Sequence, residues 1–191
     1  MGNFDGTYVG GCTLGVPGVV ANETAVGFDG ATCTVDLGDN FKFLNQAPFS
    51  IEAWVRTNAL AGNFGHLFSK EMRTSAPVNG YAMVFENPTS VYVERAVSSK
   101  NQRTNDALVT TGVFTHVVAT YDGVNQRVYV DGKATAAVVA DSASLMDVAE
   151  SAFIGSAGAS NFFKGDIDEV AVYDKALTPT QVATHHDAAA K

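Results

Sequence analysis

Positive charge is scarce in this chain. Twelve Lys and Arg stand against twenty Asp and Glu, for a formal net charge of −8. A nucleic-acid surface needs clustered cations to meet phosphates, so nucleic acid is not expected as a partner. Charge of either sign is sparse, at 17% of residues against 46% hydrophobic, a balance that argues against disorder. Long apolar runs are missing too. None approaches the roughly 20 residues that a membrane-crossing helix requires, so membrane insertion is not expected. Cysteine is limited to Cys12 and Cys33, with no Cys-x-x-Cys spacing, which removes zinc-ribbon and thioredoxin-like readings. The four histidines form no zinc constellation. His66 and His116 lie on different segments, while the adjacent His185 and His186 point in different directions on a helix, so they read as surface residues. No nucleophile elbow occurs; Gly155-Ser-Ala-Gly158 fails its spacing. The Gly-rich stretches precede strands rather than helices, so no phosphate cradle is expected.

What is present is a succession of short strands and turns. Eighteen glycines are spread over 191 residues, a length that suits one all-β unit. Phe49, Ile51, Ala53 and Val55 alternate with Ser50, Glu52, Trp54 and Arg56, the period of a strand with one buried face. Tyr81–Glu86 and Ser90–Glu94 read as paired strands around a turn at Asn87-Pro88. Phe114–Tyr121, Gln126–Val130 and Lys133–Val139 read as a meander, with Asp131-Gly132 as a tight hairpin. Further strands are expected at Ala152–Gly155 and Asp166–Tyr173. The stretches Gly62–Gly80 and Ala96–Asp106 read as polar loops framing a face, and Ser142–Glu150 as an irregular loop. Thr178-Pro-Thr-Gln181 is a capping box that opens a helix from about Pro179 to His186. Two packed antiparallel sheets with one short C-terminal helix follow.

The ordered set Phe28-Asp-Gly30, Phe49–Arg56, Thr115–Gly123, Val128-Tyr-Val-Asp-Gly132 and Phe163–Tyr173 resembles laminin G-like, concanavalin A-like lectin/glucanase domains. Lys175–Val182 resembles that family's closing turn and helix. The resemblance runs from about Asn3 to His186 and implies an all-β jelly-roll sandwich of two curved antiparallel sheets. It implies a non-catalytic binding module of an extracellular or cell-surface protein, with carbohydrate as the first expectation. The alternative is a structural or adhesion spacer in a multidomain surface protein or a phage tail fibre, hence a virion. Partners are then a glycan, a surface protein, or neighbouring domains of the parent chain. Met1-Gly2 reads as an expression start without a signal peptide, and residues 3–10 resemble a segment that usually follows one more strand. The chain, residues 1–191, is therefore expected to be one domain cut from a longer protein.

The resemblance also implies one structural calcium ion, held by Asp168 with Asp29 and Gly30. Calcium takes oxygen ligands such as these. By parity Asp168 shares the face of Val170 and Val172, where a carboxylate needs a partner; backbone N–H groups are the alternative. Asp166 and Asp168 alternate like a glycosidase pair, but Val170 stands where the family's third carboxylate belongs, so catalysis is not expected. Trp54 shares its outward face with Glu52 and Arg56, and His116, Arg127 and Tyr129 occupy the matching positions of neighbouring strands. These six could line a sugar-binding surface. Large aromatics are more often covered, so the competing expectation is that a loop or the C-terminal helix packs on Trp54. Tyr92, Glu94 and Arg95 carry a similar ambiguity. Cys12 and Cys33 are either one disulfide or two buried thiols; the even count and a secreted class favour the disulfide.

Overall fold

The computed structural model describes residues 4–58, 64–73 and 77–189. Among the described residues, fifteen strands form two sheets. The eight-stranded sheet runs through β1 (Thr7–Val9), β4 (Thr34–Asp36), β14 (Phe153–Ile154) and β6 (Gly65–Met72). It continues through β7 (Asn79–Asn87), β8 (Ser90–Val97) and β10 (Ala107–Leu108), with β9 (Lys100–Arg103) also on β8. The seven-stranded sheet starts with β13 (Lys133–Ala140), β12 (Asn125–Val130), β11 (Thr115–Tyr121) and β5 (Phe49–Thr57). It ends with β15 (Lys164–Tyr173), β3 (Thr24–Asp29) and β2 (Thr13–Pro17). All the pairings are antiparallel. The chain crosses repeatedly between sheets, as a jelly roll does.

The core lies between the sheets and follows from the alternation. Phe49, Ile51, Ala53 and Val55 of β5 meet Val117, Ala119 and Tyr121 of β11, and face Tyr81, Met83, Phe85, Val91 and Val93 of β7 and β8. The hairpin at Asp131-Gly132 forms as expected, both residues having positive φ (47° and 73°). The capping box forms too: Thr178 Oγ1 accepts from Gln181 N at 3.3 Å, and Gln181 Oε1 accepts from Thr178 N at 3.0 Å. The helix it opens, α1, runs Pro179–Ala189.

Two loop expectations are corrected. The segment 62–80 contains β6, a central strand of its sheet, and 96–106 contains the end of β8 and all of β9. A bulge between His66 and Phe68 breaks the alternation of β6, and its polar residues Ser69, Lys70 and Glu71 are buried by neighbours rather than by water. That combination imitates a loop in the sequence.

Arg95 points inward from β8 and lies fully buried between the sheets. Its guanidinium sits 3.7 Å from the Tyr121 ring centroid, pairs with Asp141, and donates to the carbonyls of Asn45 (2.8 Å) and Ala143 (3.0 Å). Gln126 Nε2 also donates to Asp141, at 2.9 Å. Cys12 and Cys33 are joined by a disulfide, with a Cα–Cα separation of 4.8 Å. It ties the β1–β2 link to the start of β4.

Candidate functional site

The outer face of the seven-stranded sheet carries the six residues grouped from sequence. The register sets Trp54 opposite His116, Glu52 opposite Val118 and Arg127 opposite Thr120. The parity was right, but the face is partly covered. Helix α1 lies on it. Trp54 is 6% exposed, with its ring centroid 5.5 Å from that of His186 and 5.1 Å from that of His116. Glu52 bonds His116 Nε2 at 2.8 Å and His185 Nδ1 at 3.0 Å. Tyr129, Val118, Leu177 and Val182 form a small second core, with Tyr173 against it. Burial alone would push the Glu52 carboxyl up, but bonds from His116, His185 and Tyr173 hold it below the usual carboxylate value. At the margins Arg56 pairs with Asp166 (2.8 Å) and covers the Phe114 ring, while Arg127 pairs with Asp122. Trp54 is therefore packed beneath the helix, while Glu52 and Trp54 also line a cleft of about 430 Å³ beside it, with Glu169, Tyr173 and His185. The histidines are not chance surface residues: His66 and His116 are buried.

The expected calcium ligands do not converge. Asp29 pairs with Lys164, four positions along β15 from Asp168, which is about 13 Å at the strand repeat. Asp29 caps its own turn, accepting from the backbone N–H groups of Ala31, Thr32 and Cys33 at 2.8–2.9 Å, and these bonds hold its carboxyl well below the usual range. Gly30 follows it with φ 75°. Asp168 accepts from Val19 N (2.9 Å) and Glu169 N (3.1 Å). Its parity also differs from expectation. A bulge between Asp168 and Ala171, with Glu169 at φ 49°, puts Asp168 opposite Trp54 on the outer face, while Val172 returns to the core. Asp166 and Asp168 do share that outer face, yet each is committed to a structural partner.

A second open surface lies on the other sheet. Val35 and Ile154 pack into the core, so alternation turns Thr34, Asp36 and Phe153 outward. Phe153 pairs with Ser69, which puts Glu71 of β6 on the same face. A pocket of about 480 Å³ forms here. The half-buried rings of Phe153 and Phe162 line it, with Glu71, Arg73, Thr34 and Asp36 as polar groups. Deeper on this face, Ala82 separates Ser69 from Glu94 across β7, and Val84 separates His66 from Tyr92. Small side chains there let Glu71 and Glu94 meet above the sheet. Gly80, at φ 124°, is required for this: a Cβ would lie 2.4 Å from Glu71 Cα.

Arg73 sits between the two carboxylates. Its Nε donates to Glu71 Oε1 at 2.6 Å and its Nη2 contacts Glu94 Oε1. Asn101 Nδ2 donates to Glu94 Oε2 at 3.2 Å. Burial pushes the Glu71 carboxyl up, but neighbouring His66 and Arg73 more than reverse this, so it lies below its ordinary value. Farther along, the Arg103 guanidinium covers the Tyr92 ring at 3.9 Å and donates to Glu86 at 2.9 Å. Sequence reasoning left Tyr92, Glu94 and Arg95 ambiguous, and the structure turns the first two outward and Arg95 inward; Glu71 and Arg73 were missed along with the strand that carries them.

Comparison with known proteins agrees with the fold. A family model described as the concanavalin A-like lectin/glucanases superfamily matches residues 29–183. No curated protein matches the chain. Among solved structures, it is similar to domain 4 of AbnA, a GH43 extracellular arabinanase from Geobacillus stearothermophilus, in complex with arabinotriose. The identity is 22% and the TM-score 0.68, over 94% of this chain and 86% of that one. The binding domain of Paraclostridial Mosquitocidal Protein 1 matches at 14% identity and TM-score 0.76, over 97% of this chain and 48% of that one. The Botulinum Neurotoxin serotype G binding domain matches at 11% identity and TM-score 0.72, over 97% and 47%. The chain thus spans about half the length of these toxin domains. With the family model covering most of its length, the chain belongs to the concanavalin A-like lectin/glucanases superfamily.

Proposed function

We propose that this chain is a non-catalytic carbohydrate-binding module whose ligand lies in the groove of the eight-stranded sheet. One observation carries the reading: two half-buried phenyl rings, Phe153 and Phe162, share a pocket with the charged Glu71, Arg73 and Asp36. Sugars need this pairing. The apolar C–H face of the ring packs on an aromatic surface, and the hydroxyls take directed polar partners. The arabinotriose complex of the similar arabinanase domain supports a sugar in this fold, as does a neurotoxin binding domain described in complex with SialylT. The Cys12–Cys33 bridge suits an oxidising extracellular or cell-surface setting. The carboxylates that resemble a glycosidase pair are tied to Arg56 and to backbone N–H groups, which supports a binding rather than a hydrolytic role.

The test is a glycan array that includes arabino-oligosaccharides and sialylated glycans, followed by calorimetry on the hits. Phe162→Ala and Phe153→Ala are each expected to weaken binding at least tenfold, about 1.4 kcal/mol. A folded wild-type chain that binds nothing on the array would sink the reading and leave the spacer role. Binding untouched by either substitution would move the ligand elsewhere on the surface.

A further inference from the structure

His66 is buried beside Glu71, its side chain 2% exposed, yet its ring nitrogens make no aligned hydrogen bond among the described residues. Buried imidazoles are rarely left so. Nε2 comes within 3.0 Å of Glu71 Oε1, but the approach is not aligned as a hydrogen bond. Glu71 Oε2 is also buried without a partner. Both orphans belong to the cluster of His66, Glu71 and Glu94, where one donor atom from each lies within 4.8 Å of the others.

We propose that His66, Glu71 and Glu94 bind one divalent metal ion of the zinc type, which enters by displacing the Arg73 guanidinium. Zinc takes imidazole and carboxylate ligands at about 2.0–2.2 Å, so tetrahedral donor atoms lie about 3.4 Å apart. The present separations, from 3.0 Å up to 4.8 Å, bracket that spacing. Arg73 supplies the positive charge between the two carboxylates, and so stands in for the cation. It satisfies Glu71 Oε1 and Glu94 Oε1 and leaves His66 unserved. A metal serves all three. The Arg73 side chain is 28% exposed and reaches water without crossing the core. Asn101 holds the second oxygen of Glu94, the kind of outer contact that orients a ligating carboxylate. One imidazole and two carboxylates fit zinc better than calcium, which collects six to eight oxygens. The metal site shares Glu71 and Arg73 with the proposed sugar groove but not its two phenyl rings, so metal alone tests it whether or not a sugar binds.

The test is titration of the EDTA-treated chain with Zn2+ by calorimetry, and with Co2+ by visible absorption. One equivalent is expected to bind, and the Co2+ form to show the intense bands of a low-coordinate site. His66→Ala and Glu94→Gln should each weaken binding at least tenfold, His185→Ala should leave it unchanged, and Arg73→Met should tighten it by removing the competing cation. A folded wild type that takes up no Zn2+ at roughly 100 µM, far above a useful affinity, overturns the proposal. So does binding lost in His185→Ala and retained in His66→Ala, or binding weakened in Arg73→Met. If His66→Ala fails to fold by circular dichroism, the wild-type Co2+ spectrum and the Arg73→Met titration decide. Weak octahedral-type bands together with no gain in affinity then count against the site.

Discussion

The Arg95–Asp141 pair is the most exacting test of how this sandwich is held together. Consider Asp141→Ala. The carboxylate receives Arg95 Nη1, Gln126 Nε2 at 2.9 Å and Ala143 N at 2.9 Å, so its loss strands three donors. Arg95 cannot reach water, because its side chain is 0% exposed. What remains for its charge is two carbonyls and the Tyr121 ring, and its Nε already lacks a partner. Removing one member of a buried pair costs about 3–5 kcal/mol. That is a fifth or more of the roughly 5–15 kcal/mol that holds a domain folded. With a urea slope of about 2 kcal/mol per M, the unfolding midpoint falls by about 1.5–2.5 M. Urea melts followed by circular dichroism read this directly. The double variant Arg95→Met/Asp141→Leu removes both charges and fills the volume, so it should recover most of the loss. A single-variant cost below about 1 kcal/mol, the range of an exposed ion pair, would refute the reasoning.

Three further outcomes are expected. Glu52 is held below its ordinary value in the fold, so its stabilising contribution is complete above the ordinary carboxylate pKa of about 4.3 and is lost as pH falls through the lowered folded value. Fluorescence of Trp54, the single tryptophan, should shift red as pH falls below about 4.3, and Glu52→Gln should remove that transition. Val182 is the one buried residue described in α1, and Val182→Ala should cost about 2 kcal/mol and open Trp54 to acrylamide quenching. Millimolar calcium should leave the melting temperature unchanged, since Asp29 and Asp168 are separately engaged; a saturable rise would restore the expected site.

The sandwich was legible because most strands keep period two. β5, β11 and β12 wrote their inward faces plainly, and the turn chemistry at Asp131-Gly132 and Thr178–Gln181 marked its own places. The candidate groove was not legible. β6 carries a bulge and four consecutive residues, Ser69 to Met72, of which only the last is apolar, so nothing periodic announces a strand. A second bulge reversed the parity of Asp168. The docking of the helix over Trp54 was hidden for another reason. α1 docks through His185 and His186 as much as through Val182, and a helix that binds by polar side chains leaves little hydrophobic stripe to read. Glu94 was the available clue to the missed cluster: its alternation with Val93 turned a carboxylate outward on a strand buried along nearly all its length.

The disulfide between Cys12 and Cys33 makes the two ends of the described chain mechanically unequal. Tension applied at the N-terminal side peels the three register pairs of β1 and then meets a covalent stop at Cys12, anchored through the fully buried Cys33. Slack is limited to residues 4–11, at most about 28 Å of extended chain. Tension at the C-terminal side meets no such stop: it lifts α1 first and bares Trp54 and His116 beneath it. Under load, the molecule yields at its helix, whereas at the other end the peeling stops at Cys12.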